Sequence, residues 1–363
     1  MDILHRSILF VETLQQLGVN QAIANVQTKL DLLVVEGEPI PTTLNDSEFD
    51  NSYVCSPYTA YISYAQDELQ LIQSKSQRRI FWGAIRIADK LLKLAKINQT
   101  ISINNWLVST NLPPKWSKET IPELTDTLIH RYPVHSFNIR SLNWHTNAEL
   151  MHALQDNGWL LIPARQVYLF DNQNRQWWHR SHTKRDQSLL RNTKLTLVQP
   201  AEHQADDFEE IRNCFNKLFI EKHSHFNPQF STAYLYEMHK ADLIQFYSFR
   251  DPNTHKIIAS IGLFTQQDII TTPMVGYDTE QPKELGLYRL LMAVLLKETY
   301  ESGQMMNLSS GAGSFKRARG GLPTIEYTAF YTKHLSCKRI WIMQIFAKLL
   351  NKFAPKVLEN NQI

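Results

Sequence analysis

The hydrophobic positions of this chain change between a helical and a strand-like period, and the changes predict its elements. Apolar residues recur every three or four positions over residues 2–28, which predicts an opening helix. KLDLLVVEGEPIP predicts a buried strand, and SQRRIFWGAIRIADKLLKLAKI predicts a long amphipathic helix with five apolar residues on one face. Those five are Ile80, Ala84, Ile87, Leu91 and Leu94.

Beyond this helix, strand and helix patterns alternate twice. ISINNWLVS, HSFNIRSLN and WLLIPARQVYLFD predict strands, and KETIPELTDTLIHRY and TNAELMHALQDNG predict the helices between them. A polar, basic connector follows, and a similar pattern restarts with KLTLVQP and continues to a basic amphipathic helix at the C-terminus. The order predicts two halves with a boundary near residue 180, each with helices packed over a sheet.

Composition narrows the class of protein. The chain has 363 residues, which suggests about two domains, and its charged and hydrophobic contents are ordinary for a globular protein. A formal charge of +3 excludes a strongly basic nucleic-acid coat but allows a local basic groove. Three scattered cysteines predict neither a disulfide framework nor a zinc site. The N-terminal residues show neither a secretory signal nor a membrane span, so we expect a cytoplasmic protein.

The stretch NLSSGAGSFKRARGG, residues 307–321, is rich in glycine and basic residues. It fails the spacing of a Walker A loop, because Lys316 follows Phe315, and it lacks the spacing of a dinucleotide fingerprint. Two interpretations remain. A flexible turn with Lys316, Arg317 and Arg319 beside free backbone N–H groups suits an anionic group such as phosphate or carboxylate. The same composition is also typical of a solvated loop.

Three stretches of the second half have a recognisable order. HRSHTKRDQSLLRNTKLTLVQP is a basic helix leading into a strand, residues 255–303 contain central strands and a helix, and MMNLSSGAGSFKRARGG is a strand ending in a glycine-bearing turn. Together they resemble the GNAT acyltransferase superfamily, and more closely its FemAB-like, tandem-GNAT branch. The resemblance covers roughly residues 179–335, and the first half matches only in outline, as a degenerate copy.

The resemblance implies an α/β (α+β) fold of two GNAT-like domains, each a mixed, largely antiparallel sheet flanked by helices. The implied domains are a degenerate one over residues 1–178 and a FemAB-like one over residues 179–335, which opens with a basic connecting helix at 179–194. Residues 336–363 form the C-terminal amphipathic helix.

The implied activity is transfer of an acyl or aminoacyl group from an activated donor to a small-molecule or peptide amine. The donor is acyl-CoA, an acyl-carrier protein or an aminoacyl-tRNA, used as a co-substrate, with no permanently bound cofactor and no metal. The family's matching lysine is Lys316. A tandem GNAT fold without catalytic activity, which binds a small molecule or a partner protein, is the alternative.

Two departures from the family pattern bear on the donor. Acyl-CoA-binding relatives carry a Q/R-x-x-G-x-G/A turn at the start of the central helix, whereas this chain reads EQPKELGLYR with only Gly286. Asn307 also stands where many relatives have an aspartate. The first departure favours a donor other than free CoA, and the basic connector suits a large anionic donor such as tRNA or an acidic carrier protein.

Candidate catalytic residues follow from the need to move protons during amide formation. Asp278 and Tyr277 are predicted at the end of a strand, where a carboxylate can act as base and a tyrosine hydroxyl as acid, and Glu326 in PTIEYTAFY is a further candidate for these roles. Tyr-Asp pairs at strand ends are also common turn formers. The donor-binding candidates that remain lie mostly in the glycine-rich stretch: Lys316, Arg317, Arg319, Asn307, Ser309, Gly311, Gly313 and Tyr58.

Other features carry weaker signals. His223 and His225 are two positions apart but lack a third metal ligand, and Cys55 lacks a base that would activate it. The tyrosines around Cys55, among them Tyr58, are placed to line a cleft between the halves. The lysines of the C-terminal helix favour either weak contact with an anionic membrane surface or an ordinary solvated face.

Overall fold

The computed structural model describes residues 3–69 and 74–361, and within them the chain forms one mixed sheet covered by helices. The helices are α1 (Ile3–Leu17), α2 (Val19–Ala22), α3 (Tyr64–Glu68), α4 (Lys75–Leu94), α5 (Thr120–Arg131), α6 (Ala148–Asp156), α7 (Ser181–Asn192), α8 (Asp207–Phe215), α9 (Thr232–Lys240), α10 (Leu287–Ser302), α11 (Gly313–Ala318) and α12 (Cys337–Asn361). The strands are β1 (Lys29–Val35), β2 (Glu38–Asn45), β3 (Thr100–Ile103), β4 (Ser136–Asn143), β5 (Leu160–Phe170), β6 (Thr196–Val198), β7 (Gln245–Arg250), β8 (Ile257–Gln266), β9 (Ile269–Tyr277), β10 (Met305–Asn307) and β11 (Leu322–Tyr331).

The strands of the described residues form one eleven-stranded sheet in the order β1-β2-β3-β4-β11-β5-β10-β9-β8-β7-β6. Two neighbouring pairs are parallel, β3 with β4 and β9 with β10, and the others are antiparallel. The predicted fold, a mixed and largely antiparallel sheet flanked by helices, is therefore confirmed.

The pairing pattern occurs twice. In the first half β1, β2 and β3 pair antiparallel in turn, β3 pairs parallel with β4, and β4 then meets an antiparallel strand. The second half repeats these steps with β7, β8, β9 and β10. The last strand of each series belongs to the other half, because β11 completes the first series and β5 completes the second. The proposed division between residues 178 and 179 stays a prediction, and the sheet is continuous across it.

Two parts of the chain fall outside this repeat. Between β2 and β3 the first half contains residues 46–99, which include a π-helical segment at Thr59–Ser63, α3 and α4. At the equivalent place, β8 and β9 are joined by a two-residue turn at Gln267 and Asp268. The other extra element is α12, which follows the last strand. The two additions share an apolar cluster, in which Leu92 of the first addition packs with Ile342 and Met343.

The glycine-rich stretch differs from its prediction. It was expected as a flexible turn, but residues 313–318 form the short helix α11, and both Lys316 and Arg319 are buried. Ser309, Gly311 and Ala312 all have positive φ, which turns the chain sharply between β10 and α11. Gly311, Ala312 and Ser314 are exposed, so the solvated-loop interpretation is wrong for Lys316 and Arg319 but not for the whole stretch.

One further property concerns helix length and composition. In the part of the chain that the structure describes, we find no helix with the length and apolar character needed to span a bilayer.

Candidate functional site

The short strand β10 creates a fork in the sheet. It pairs with β9 only from Met305 to Asn307 and with β5 at two residues, while both neighbours continue further. Backbone hydrogen bonds between Tyr168 and the residues just after β10 extend the contact with β5 slightly. Beyond them, no strand of the described residues lies between β9 and β5. We call this divergence, from Asn307 outward, the β5–β9 fork.

The Lys316 side chain is buried at the base of the fork. Its Nζ donates to the carbonyl oxygens of Leu308, Ser309 and Ser310 at 2.8, 3.3 and 2.7 Å and lies 5.5 Å from the centre of the Tyr168 ring. Burial, with a smaller effect from the positive charge of Arg165, lowers the pKa of Lys316 to about 7. A lysine in this state exchanges protons at neutral pH.

Arg317 points toward β5 and completes a polar triad. Its Nη2 donates to Gln166 Oε1 at 3.1 Å and to the Tyr168 hydroxyl at 3.0 Å, and that hydroxyl donates to Gln166 Oε1 at 2.8 Å. The guanidinium lowers the pKa of the tyrosine, but burial outweighs it and the net shift is upward. The Nε of Arg317 is buried and has no hydrogen-bond partner. A buried donor without a partner is costly, so this group is suited to an incoming acceptor.

A second charged group lies on the strands next to the fork. Arg165 pairs with the buried Glu326 at 2.8 Å, and its Nη2 donates to the carbonyl oxygen of Ser109 at 2.6 Å. Arg140 donates to the carbonyl oxygen of Val54 at 2.6 Å. Burial lowers the pKa of Arg140, and Glu326 raises that of Arg165 against the effect of burial. With Lys316 and Arg317, these residues place more positive than negative charge in the protein interior.

Asp278 and Tyr277 lie at the far end of β9. Asp278 pairs with Lys217 at 2.6 Å and accepts a hydrogen bond from Gln281 at 2.9 Å. Burial favours the neutral acid, but these donors outweigh it and lower the pKa of Asp278. The Tyr277 ring centre is 6.4 Å from that of Tyr288, which is 4.9 Å from Phe315 of α11.

The other predicted residues have mainly local contacts. Asn307 accepts a hydrogen bond from the backbone of Ser309 at 3.0 Å. Gly311 belongs to the sharp turn before α11, and Gly313 is the first residue of that helix. Arg319 is buried and bonded to Asp186 of α7, which also binds Arg289. Tyr58 lies elsewhere, with its hydroxyl donating to Asp89 of α4 at 2.6 Å.

The weaker candidates show no site chemistry. Burial raises the pKa of Cys55 to about 12, which leaves it an unreactive thiol, and burial lowers the pKa of His223. Among the described residues, no three His, Cys, Asp or Glu side chains form a group that could hold a metal.

The start of α10 replaces the family's phosphate-binding turn. Gly286 has a φ of 63° and precedes the first residue of α10, Leu287, which is buried. A Cβ at Gly286 would lie 3.0 Å from the side chain of Leu189, so α7 covers this helix end closely. Tyr288 stands two positions after Gly286, where the family pattern has a second small residue, and α7 covers the glycine closely.

Sequence reasoning missed four residues of the site: Arg140, Arg165, Gln166 and Tyr168. The signal was present, because Arg140 and Arg165 interrupt strands that are otherwise mostly apolar or small. A charged residue inside such a strand is seldom buried without a partner or a function. Arg165 meets Glu326 only because β11 of the second half inserts between β4 and β5 of the first half. No local sequence pattern indicates that insertion.

No family model matches this chain, and no curated protein matches it in sequence. The strand order nevertheless shows the fold, in which the same series of strand pairings occurs twice, side by side, in one sheet. FemX has the same fold, at 8% identity over 93% of each chain with a TM-score of 0.53. So does the C-terminal domain (DUF2156) of an Agrobacterium fabrum protein named as a lysylphosphatidylglycerol synthetase. That domain is 11% identical over 93% of this chain and 96% of its own, with a TM-score of 0.53. The predicted resemblance is confirmed at the level of the fold.

Proposed function

We propose that this protein is an N-acyltransferase that moves an acyl or aminoacyl group from an activated donor to an amine. The observation that carries the proposal is the buried Lys316, whose amine has a pKa of about 7 at the base of the β5–β9 fork. The fold is compatible with this chemistry, since one neighbour is named for the synthesis of an aminoacylated lipid. Fold alone does not fix function, so the site has to support the reaction.

The reaction forms a bond from the acceptor nitrogen to the donor carbonyl carbon and breaks the bond from that carbon to the leaving group. The acceptor amine loses a proton and the leaving group gains one. Lys316 in its neutral form is suited to take up that proton, and its ammonium form to stabilise the negative charge on the carbonyl oxygen. The Tyr168 ring centre lies 5.5 Å from Nζ, and the Tyr168 hydroxyl accepts a hydrogen bond from Arg317.

The surplus positive charge around the fork favours a donor or acceptor with an anionic part. Arg140, Arg165, Arg317 and Lys316 face only the carboxylate of Glu326 in this group. A carboxylate or phosphate placed here would compensate the surplus and would offer an acceptor to the free Nε of Arg317. In this proposal Arg317 binds the ligand, whereas Arg319 positions α11 through Asp186.

The start of α10 favours a donor other than free CoA. Tyr288 in place of the second small residue, and the close approach of Leu189 to Gly286, leave less room for a pyrophosphate at this helix end. The donor is therefore an aminoacyl-tRNA or a carrier-bound acyl group, and Lys184, Arg185 and Arg191 of α7 are exposed basic residues suited to bind its anionic part.

A donor-discharge assay tests the proposal. Labelled aminoacyl-tRNA, acyl-carrier protein and acetyl-CoA are each incubated with the protein and a panel of small amines, and loss of label from the donor is followed. We expect amine-dependent discharge of one macromolecular donor and none of acetyl-CoA. Discharge of acetyl-CoA alone would overturn the assignment of the donor.

A second candidate, an inert binding protein, is favoured by one specific observation. Asp278 and Glu326, the two carboxylates proposed as bases, are both held in ion pairs. Binding of a donor without discharge under any condition of the panel would favour this candidate and contradict the transferase.

A further inference from the structure

Exposed large apolar side chains concentrate on two helices. Of the eleven that the described residues expose, seven belong to α4 and α12. They are Ile80, Trp82, Ile87, Leu94, Trp341, Leu349 and Phe353. Single exposed apolar residues are ordinary, but a concentration of this kind marks a contact surface.

Of the four large residues on the apolar face of α4, three are exposed to solvent. Ile80, Ile87 and Leu94 recur at seven-residue spacing and therefore share one side of the helix, and they are 70, 64 and 51% exposed. The helix is strongly amphipathic in sequence, yet Leu92 is its only fully buried residue among those described. An apolar stripe of this kind normally packs on a core, so its exposure here calls for another apolar environment.

Basic residues are also concentrated on α4 and α12. Helix α4 has six basic residues and one acidic residue, and α12 has five basic residues and one acidic residue. Their formal charges of +5 and +4, against +3 for the whole chain, leave the rest of the molecule at −6. The exposed lysines of α12 (Lys338, Lys348, Lys352 and Lys356) accompany Trp341 and Leu349 along its outer side.

The two helices form one continuous surface. Their inner sides pack together, with Ile85 and Leu91 of α4 against the cluster that contains Ile342 and Ala347 of α12. Arg339, near the start of α12, donates to the carbonyl oxygen of Ala95, just past the end of α4, at 2.8 Å. The start of one helix thus lies at the end of the other. We call the outer side of this pair the α4–α12 face.

Neither helix is needed to complete the repeated sheet. Helix α4 belongs to the addition between β2 and β3, where the second half has a two-residue turn, and α12 follows the last strand. Both additions are basic and both expose apolar residues, although they are separate in sequence. A shared property of two independent additions indicates a shared role.

We propose that the α4–α12 face docks on an anionic lipid bilayer, with the apolar side chains in the interfacial layer and the basic side chains at the lipid headgroups. Exposed Trp341 suits the boundary between headgroups and acyl chains. A second copy of the chain is a poor occupant, because two surfaces of high positive charge would face each other. A nucleic acid would leave the isoleucines and leucines without an apolar environment.

Vesicle sedimentation tests this proposal with the full chain. The probes are vesicles of phosphatidylcholine alone and vesicles with about one third phosphatidylglycerol. We expect at least about tenfold stronger binding to the anionic vesicles, weakened by added salt. The emission of Trp341 should shift to shorter wavelength on binding.

Matched test and control variants show whether vesicle binding depends on the α4–α12 face or only on the overall charge and apolar content of the surface. Ile80→Ser with Ile87→Ser, and Lys348→Glu with Lys352→Glu, should each weaken binding about tenfold or more. The controls, Val34→Ser with Trp144→Ser and Lys256→Glu with Lys283→Glu, alter exposed residues outside both helices and should change binding less than about twofold. All four altered proteins should keep the donor-discharge activity in solution. Failure of the docking proposal can therefore be distinguished from failure of the transferase proposal.

Three results would overturn the proposal. The first is equal binding of the natural chain to both kinds of vesicle. The second is equal loss of binding in the test and control variants. The third is a concentration-dependent dimer in sedimentation velocity that the Ile80→Ser, Ile87→Ser variant abolishes, which would assign the face to a second copy.

Discussion

Two opposing influences act on the amine of Lys316. Removal from water disfavours the ammonium and lowers the pKa to about 7, whereas the three carbonyl oxygens around Nζ match the three N–H groups of the ammonium. The side chain therefore fixes the turn after β10 and also exchanges a proton near neutral pH. Both properties depend on the same buried position, so they are lost together when the residue is changed.

Lys316 should give the stability of the protein a specific pH dependence. Its pKa is about 7 in the folded state and ordinarily 10.5, so between these values the unfolded chain binds a proton that the folded chain does not. The contribution of Lys316 to the free energy of unfolding should therefore rise from pH 7 to pH 10. Urea unfolding of the natural chain and of Lys316→Met across this range measures it. Parallel pH profiles would show that the pKa of Lys316 is not lowered.

The buried pair of Arg165 and Glu326 gives a second prediction at the residue scale. Glu326→Ala leaves the arginine buried without its carboxylate, and we expect a loss of about 3 kcal/mol in the free energy of unfolding. Glu301→Gln, which breaks an exposed pair with Lys297, should cost less than about 1 kcal/mol. Urea unfolding measures both, and equal losses would contradict the burial of the pair.

At the scale of elements, local patterns account for most of the fold. The predicted long helix and the helices of the first half occur as α4, α5 and α6, because their apolar periods are regular. KLDLLVVEGEPIP was predicted as one strand but forms β1 and the start of β2, joined by a turn at Glu36 and Gly37, both with positive φ. The sequence pattern does not reveal this turn, because the prolines that belong to β2 are typical of the end of a strand.

The site could be predicted only in part. The basic residues after β10 were identified because they are unusual in sequence, but their burial was not. The short α11 contains glycine and serine, which are poor helix formers, and it is stabilised by Lys316 and by the Arg319–Asp186 pair. These contacts join residues far apart in the chain, and no local pattern reports them.

Because α8 packs closely on β9, we expect replacement of a glycine in β9 to lower the stability of the protein. A Cβ on Gly276 of β9 would lie 2.3 Å from the backbone nitrogen of Phe215 in α8. Gly276→Ala should therefore cost about 1–3 kcal/mol, because backbone has to move. Gly83→Ala, in open space on α4, should cost nothing or stabilise by up to about 1 kcal/mol. Thermal unfolding compares the two, and equal midpoints would contradict the close approach of α8 to β9.

At the scale of the whole molecule, the two halves are joined by exchanged strands. β5 and β11 pair along nine residues at the centre of the sheet, and each also pairs with the parallel unit of the other half. This arrangement explains why the fork and the charged group lie together although their residues span more than half of the chain. It also makes the halves mutually dependent.

Separation of the halves should therefore prevent folding. A fragment of residues 1–178 lacks β11, which leaves β4 and β5 without their shared partner. We expect this fragment to show no cooperative unfolding transition and to recover one when residues 179–363 are supplied as a second fragment. Circular dichroism during urea titration provides the measurement. A cooperative transition of the first fragment alone would show that it is an independent domain.

The central claim is that the β5–β9 fork carries transfer chemistry that depends on Lys316. Its most direct test is single-turnover transfer of label from a loaded donor to an amine, with the natural chain, Lys316→Met and the surface control Lys256→Met. We predict that Lys316→Met slows transfer by about a hundredfold or more, as loss of an acid–base group does, while Lys256→Met leaves the rate unchanged. Transfer by Lys316→Met at the rate of the natural chain would contradict the claim.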